Sequence, residues 1–198
     1  MIATRNRKFK ILAVVFAFIV LVVGYLFVYT KYINQTSFRV NKQLSSKFIK
    51  RVDSVVANHQ NIVAIQIVNV DLNRNIRYII YTSIKSPEVN KLYSGFLDNN
   101  IAIEAPVFID SDVQNTRMIK LINHEFVCSS FKDTISYTFI PEVAKYISTV
   151  CAVSIPPSHG DFVGIVGIFL KNPPTDIEKD IIRTETKDLA EAAYPEIK

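Results

Sequence analysis

Glycine is scarce in this chain, 5 in 198 residues. Neither a P-loop nor a G-x-G-x-x-G fingerprint is present, which argues against the phosphate cradles built on such loops. Histidine is rarer still: His59, His124 and His159 are scattered, and the "NHEF" around His124 is not the H-E-x-x-H zinc motif. Asp110, Asp112 and Asp161 read as isolated turn acids, whereas a metal site needs more converging ligands. No nucleophile stands beside a plausible base, so the expectation is a protein that is not an enzyme and has no metal or cofactor. Between Ile11 and Tyr29 there is no Asp, Glu, Lys, Arg or His. A proton relay or an ion-coupled stator would need one there.

What is present begins with "RNRKFKILAVVFAFIVLVVGYLFVYTKY", Arg5 to Tyr32. The nineteen residues Ile11–Tyr29 span roughly 28 Å as a helix, close to a bilayer's hydrocarbon thickness. A signal-peptide core is shorter and ends at small residues. Here the run ends in bulky "GYLFVYTKYINQ". The reading is an uncleaved transmembrane helix over residues 11–30. Tyr25, Tyr29 and Tyr32 suit the far headgroup zone. Arg5, Arg7, Lys8 and Lys10 favour a cytoplasmic tail over residues 1–10, although Lys31, Arg39 and Lys42 follow on the other side. Ala13 and Ala17 form a small-xxx-small pair that lets two helices approach closely.

The net charge of +5 is concentrated in that tail; the other 188 residues hold 19 Lys/Arg against 18 Asp/Glu. Nucleic acid needs a basic patch on the folded domain, so no nucleic-acid partner is expected. The expected partners are membrane lipid and further copies of the chain.

Residues 31–60 read as a juxtamembrane helix, with Ser37–Asn58 carrying Leu44, Phe48, Val52 and Val55/Val56 at helical spacing. Its lysines lie off that stripe. The apolar face packs on the domain behind it, in preference to lying on lipid. Residues 61–198 read as a periplasmic α+β domain. "NIVAIQIVNV" and "IRYIIYTS", joined by Asp71–Asn75, form a β-hairpin. Pro87 to Leu97 is a short helix. Residues 99–122 give no clear pattern beyond a strand and turn at "APVFIDSDV". "LINHEFVCS" reads as a strand, and Asp133 to Ile147 as a helix broken or kinked at Pro141. "STVCAVSI" and "FVGIVGIFLK" form a second hairpin across "PPSHGD". Gly164 and Gly167 in its last strand suggest close backbone approach or a bulge. Asn172 to Ala193 is a closing helix, capped by Thr175 with Glu178, on which Ile177, Ile181, Leu189 and Ala192 partly repeat. Cys128 and Cys151 both fall in strands flanking one helix; in an oxidising periplasm they are expected to pair, the alternatives being two buried thiols or a redox pair.

This order gives an antiparallel sheet of about five strands with helices against one face, the general plan of PAS-like and GAF-like domains. The C-terminal third, "YISTVCAVSIPPSHGDFVGIVGIFLKNPPTDIEKDIIRTETKDLAEAA", resembles the corresponding end of the T-even phage holin family. The shared features are a strand with a Cys, a loop, a strand of the "GxIxxF/Y" kind at Gly164–Phe169 and a closing amphipathic helix. The single membrane helix and PAS-like periplasmic domain are also shared. There are departures: the tail here is shorter, and the family's second cysteine lies in the closing helix, which has none here. If Cys151 matches the family's strand cysteine, its partner must be Cys128. The resemblance implies a bacteriophage holin for host cell lysis: copies cluster in the inner membrane and open lesions that release an endolysin. An antiholin-type protein regulator would bind the periplasmic domain and set the timing. The alternative is a membrane-anchored PAS-like sensor or binding subunit of an envelope complex.

Overall fold

The computed structural model describes residues 44–97 and 104–198. Everything expected of residues 1–43 lies outside the described residues: the tail with Arg5, Arg7, Lys8 and Lys10, the membrane run, and the Ala13/Ala17 pair. Among the described residues no helix is long and apolar enough to cross a membrane.

The described chain runs α1 (Ser46–Asn58), β1 (Ile62–Asp71), β2 (Ile76–Ile84), α2 (Pro87–Leu97), β3 (Glu104–Pro106), α3 (Asp112–Ile122), β4 (Val127–Ser130), α4 (Ile135–Phe139), β5 (Thr149–Ile155), β6 (Gly164–Leu170) and α5 (Asp176–Ile197), with short 3-10 turns on either side of α4. The strands form one antiparallel sheet of six, in the order β3-β2-β1-β6-β5-β4. The expectation of about five strands falls short by one. The expectation of helices on one face is corrected too, because both faces are covered. The largely apolar β5 and the all-apolar β6 are buried along their whole length, as a strand between two helical layers must be.

On one face lie α1 and α5. Leu44, Phe48, Val52 and Val56 pack against Ile65, Ile67, Val153, Val166 and Ile168, so the apolar stripe of α1 is spent on the domain core. Thr175 caps α5 in a full capping box with Glu178. Of the stripe expected on α5, Leu189 is buried and Ala192 packs against the core, but the first two residues are out of phase. Ile177 is 78% and Ile181 47% exposed, and the buried side is Ile182, Thr186, Leu189, Ala190, Ala193 and Ile197. The start of α1 is tied to the end of α5: Ser45 donates from its backbone N and its Oγ to the Glu196 carboxylate, at 2.8 and 2.6 Å. Those bonds hold the Glu196 carboxyl below its usual range.

The opposite face carries α2, α3 and α4. The segment that gave no clear pattern contains α3, a full helix capped by Ser111. Only Met118 and Leu121 of α3 are buried, while Val113 and Ile119 are exposed, so its hydrophobic periodicity is weak. The strand read at "LINHEFVCS" begins only at Val127, because Leu121 and Ile122 end α3 and His124 turns the chain at φ 61°. Pro141 breaks the expected long helix into α4 and a 3-10 turn. Cys128 and Cys151 are bonded, directly opposite one another in the β4–β5 register with Cα atoms 4.0 Å apart.

Candidate functional site

A cavity of about 90 Å³ lies between the sheet and α2–α4. Two strand features create it. The first is a missing side chain. Across the middle of the sheet, Gln66 of β1 stands beside Gly167 of β6, which stands beside Ala152 of β5. A Cβ placed on Gly167 would meet nothing nearer than 3.7 Å, so its absence leaves floor space over the sheet. Gly164 differs: a Cβ there would lie 2.3 Å from the Val68 carbonyl oxygen. Close backbone approach therefore explains Gly164 but not Gly167.

The second feature is a bulge. Ile67 pairs with Tyr81 and Val68 with Ile79, leaving Ile80 without an opposite residue. An extra residue re-aims the strand beyond it. Tyr81 and Ser83 face α1, where both donate to the Asp53 carboxylate at 2.6 Å. Burial, then that hydrogen bond, push the Tyr81 hydroxyl up to about 12. Arg77 and Ile79, on the other side of the bulge, line the cavity instead.

Arg117 reaches the same cavity from α3. The loop ahead of α3 is clamped. Asn115 Nδ2 donates to the Ile109 carbonyl at 2.7 Å and Asn115 Oδ1 accepts from Ile109 N at 3.0 Å. Asn75, at φ 56° in the β1–β2 turn, accepts from Phe108 N at 2.8 Å. The roof is thus fixed to the hairpin that carries Arg77. Thr134, buried, closes one end by donating its hydroxyl to the Phe131 carbonyl at 2.7 Å.

Both arginines are half-buried as whole side chains, but the Nε of each is sealed from solvent with no hydrogen-bond partner. The Nε2 of Gln66, a residue only 5% exposed, is in the same position. Among the described residues, no ion pair forms with either guanidinium. Burial, and then the neighbouring Arg117, pull Arg77 down to about 10. Burial pulls Arg117 to about 10 against the opposing effect of Asp133. Both remain charged at neutral pH. Burial also pushes the Tyr93 hydroxyl at the cavity wall up to about 12. Two half-buried like charges with no ion pair among the described residues cost stability, and buried donors such as the two Nε are normally satisfied. The arrangement can hold a group that accepts hydrogen bonds and carries negative charge.

The residues singled out in the sequence lie elsewhere. His59 at the end of α1 contacts Glu185 of α5 at 2.6 Å. His124 Nδ1 lies 2.9 Å from Ser154 Oγ and from the Pro156 carbonyl. The Cys128–Cys151 bond belongs to the sheet face covered by α1 and α5. Among the described residues no cluster of three metal-ligating side chains forms. Gln66, Arg77 and Arg117 were not picked out, although Gln66 is the one polar residue in "IVAIQIV" and Arg77 the one charge in "IRYIIYTSI".

No protein-family model matches the chain, and no curated protein matches it. Solved structures do. The GAF domain/HD domain protein from Geobacter sulfurreducens superposes with TM-score 0.51 at 16% identity, over 76% of this chain and 92% of that one. The GAF domain of a two-component sensor histidine kinase from Bacillus halodurans gives TM-score 0.48 at 11% identity, over 78% and 95%. The fold is GAF-like: an α+β domain with a six-stranded antiparallel sheet and flanking helices. These comparisons offer nothing for the membrane-lesion reading.

Proposed function

We propose that the chain is a membrane-anchored sensor or binding subunit, not an enzyme, whose GAF-like domain takes a small ligand in the cavity between the sheet and α2–α4. The observation that supports this reading is the trio of unpartnered, sealed polar atoms, on Gln66, Arg77 and Arg117, around one cavity. A core without a ligand to receive would be better filled with apolar side chains. Residues 11–30 serve as the anchor, and occupancy is passed to a partner or a second copy in the membrane through the helices that roof the cavity.

The test uses the full chain in detergent, wild type beside Gly167→Val, unfolded thermally against a panel of small neutral and anionic organic compounds. The valine Cβ fits the backbone, and its methyl groups fill the floor. At least one class of compound raises the Tm of the wild type and leaves the variant unmoved. No response from any class, or equal responses from both proteins, would overturn the reading.

A further inference from the structure

Resting on that ligand-site reading, we propose that the cavity takes a short-chain monocarboxylate, with its carboxylate between Arg77 and Arg117 and its hydrocarbon against the apolar lining. Three observations lead to this class.

The first is charge. The two guanidiniums line one cavity close enough for the charge of Arg117 to act on Arg77, neither has an ion-pair partner among the described residues, and Asp133 acts on Arg117 from beyond ion-pair distance. The local sum is one positive charge, which one carboxylate neutralises. Guanidinium forks suit a planar two-oxygen acceptor, and the orphaned Gln66 Nε2 supplies one more donor.

The second is the rest of the wall. Val68, Ile79, Met118, Leu121, Phe139 and Ile140 make most of it apolar. A phosphate or sulfate would turn a charged oxygen onto these groups without a partner, which is costly. A carboxylate turns a hydrocarbon tail there instead.

The third is size. A dry apolar cavity of about 150 Å³ admits benzene. The 90 Å³ here is three-fifths of that and holds roughly four non-hydrogen atoms by the same scale, which fits a two- to three-carbon acid.

The experiment measures binding of radiolabelled propionate to the full chain in detergent by equilibrium dialysis, with propionamide, inorganic phosphate and a twelve-carbon fatty acid, roughly four times the fitting length, as competitors. Unlabelled propionate and acetate displace the label, whereas propionamide, phosphate and the long acid compete roughly tenfold less well or worse. Arg77→Met and Arg117→Met each abolish binding while raising the Tm of the ligand-free protein, because each removes an unpartnered buried charge and keeps the stem. A merely structural arginine would lower that Tm. Gly167→Val, with both arginines intact, also loses binding. If propionamide competes as well as propionate, the carboxylate assignment fails and the ligand-site reading stands. If phosphate wins, the monocarboxylate class is wrong in the same limited way. If nothing in the wider compound panel binds, both fall.

Discussion

Two glycines three positions apart on one strand have opposite meanings. Gly164 has the Val68 carbonyl oxygen where its Cβ would go, while Gly167 has open space. Gly164→Ala should therefore cost about 1–3 kcal/mol, the usual range for overpacking, and a backbone atom is the obstacle. Gly167→Ala should be neutral or slightly stabilising, since glycine inside a strand is itself unfavourable. Urea unfolding of the two variants checks both. The arginines set the pH response of the site. Each is pulled to about 10, so both guanidiniums are charged from pH 6 to 8, and a carboxylate ligand of pKa below 5 is ionised throughout. Affinity should be flat over that window and fall as the pH approaches 10, where the sites begin to lose their protons. The sign for the free protein is the reverse. A base whose folded pKa lies below its unfolded value makes the folded state bind fewer protons, so this contribution to stability rises with pH from about 10 upward. Dialysis across pH at constant ionic strength reads the first effect.

The elements built from regular apolar patterns were legible. The two hairpins, the stripe of α1 and the capping box of α5 follow from alternation, helical spacing and the Thr175/Glu178 pair. What stayed hidden depends on tertiary placement. Helix α3 buries only Met118 and Leu121 from the core side and sends Arg117 into the cavity, so a window average over it looks polar. The bulge at Ile80 was also hidden, because "IRYIIYTSI" reads the same with or without it; only the pairing with β1 shows that Arg77 and Tyr81 face opposite ways. On α5, Ile177 and Ile181 kept helical spacing yet face outward, since spacing gives a period but not a phase. The disulfide was readable because both cysteines lie in adjacent strands and meet in register. It fixes the edge strand β4 to β5, closing a sequence separation of 23. Reducing it should lower stability by about 3 kcal/mol on the chain-entropy argument, seen as a lower urea midpoint with reductant present. Cys128→Ala with Cys151→Ala should reproduce that shift and be insensitive to reductant.

For the whole molecule, two readings of residues 11–30 diverge. In the sensor reading, residues 11–30 anchor the domain with its cavity on the periplasmic side; in the membrane-lesion reading they cluster and open the bilayer. The Arg5/Arg7/Lys8/Lys10 group predicts the N-terminus inside. A periplasm-only reporter fused after Lys198 should therefore be active, and a cytoplasm-only reporter silent. Overexpression should leave the host intact in the sensor reading, while abrupt lysis that is lost when residues 11–29 are exchanged for an unrelated anchor would restore the holin reading. Those experiments place the chain; the ligand decides its work. The most direct measurement is amide hydrogen exchange on the full chain in lipid bilayers, with and without saturating propionate. The account predicts slower exchange in α3 and α4, which roof the cavity, and in β2 around Arg77, with α1 and α5 on the far side of the sheet unchanged. Identical exchange with and without propionate, or protection confined to α1 and α5, would contradict it.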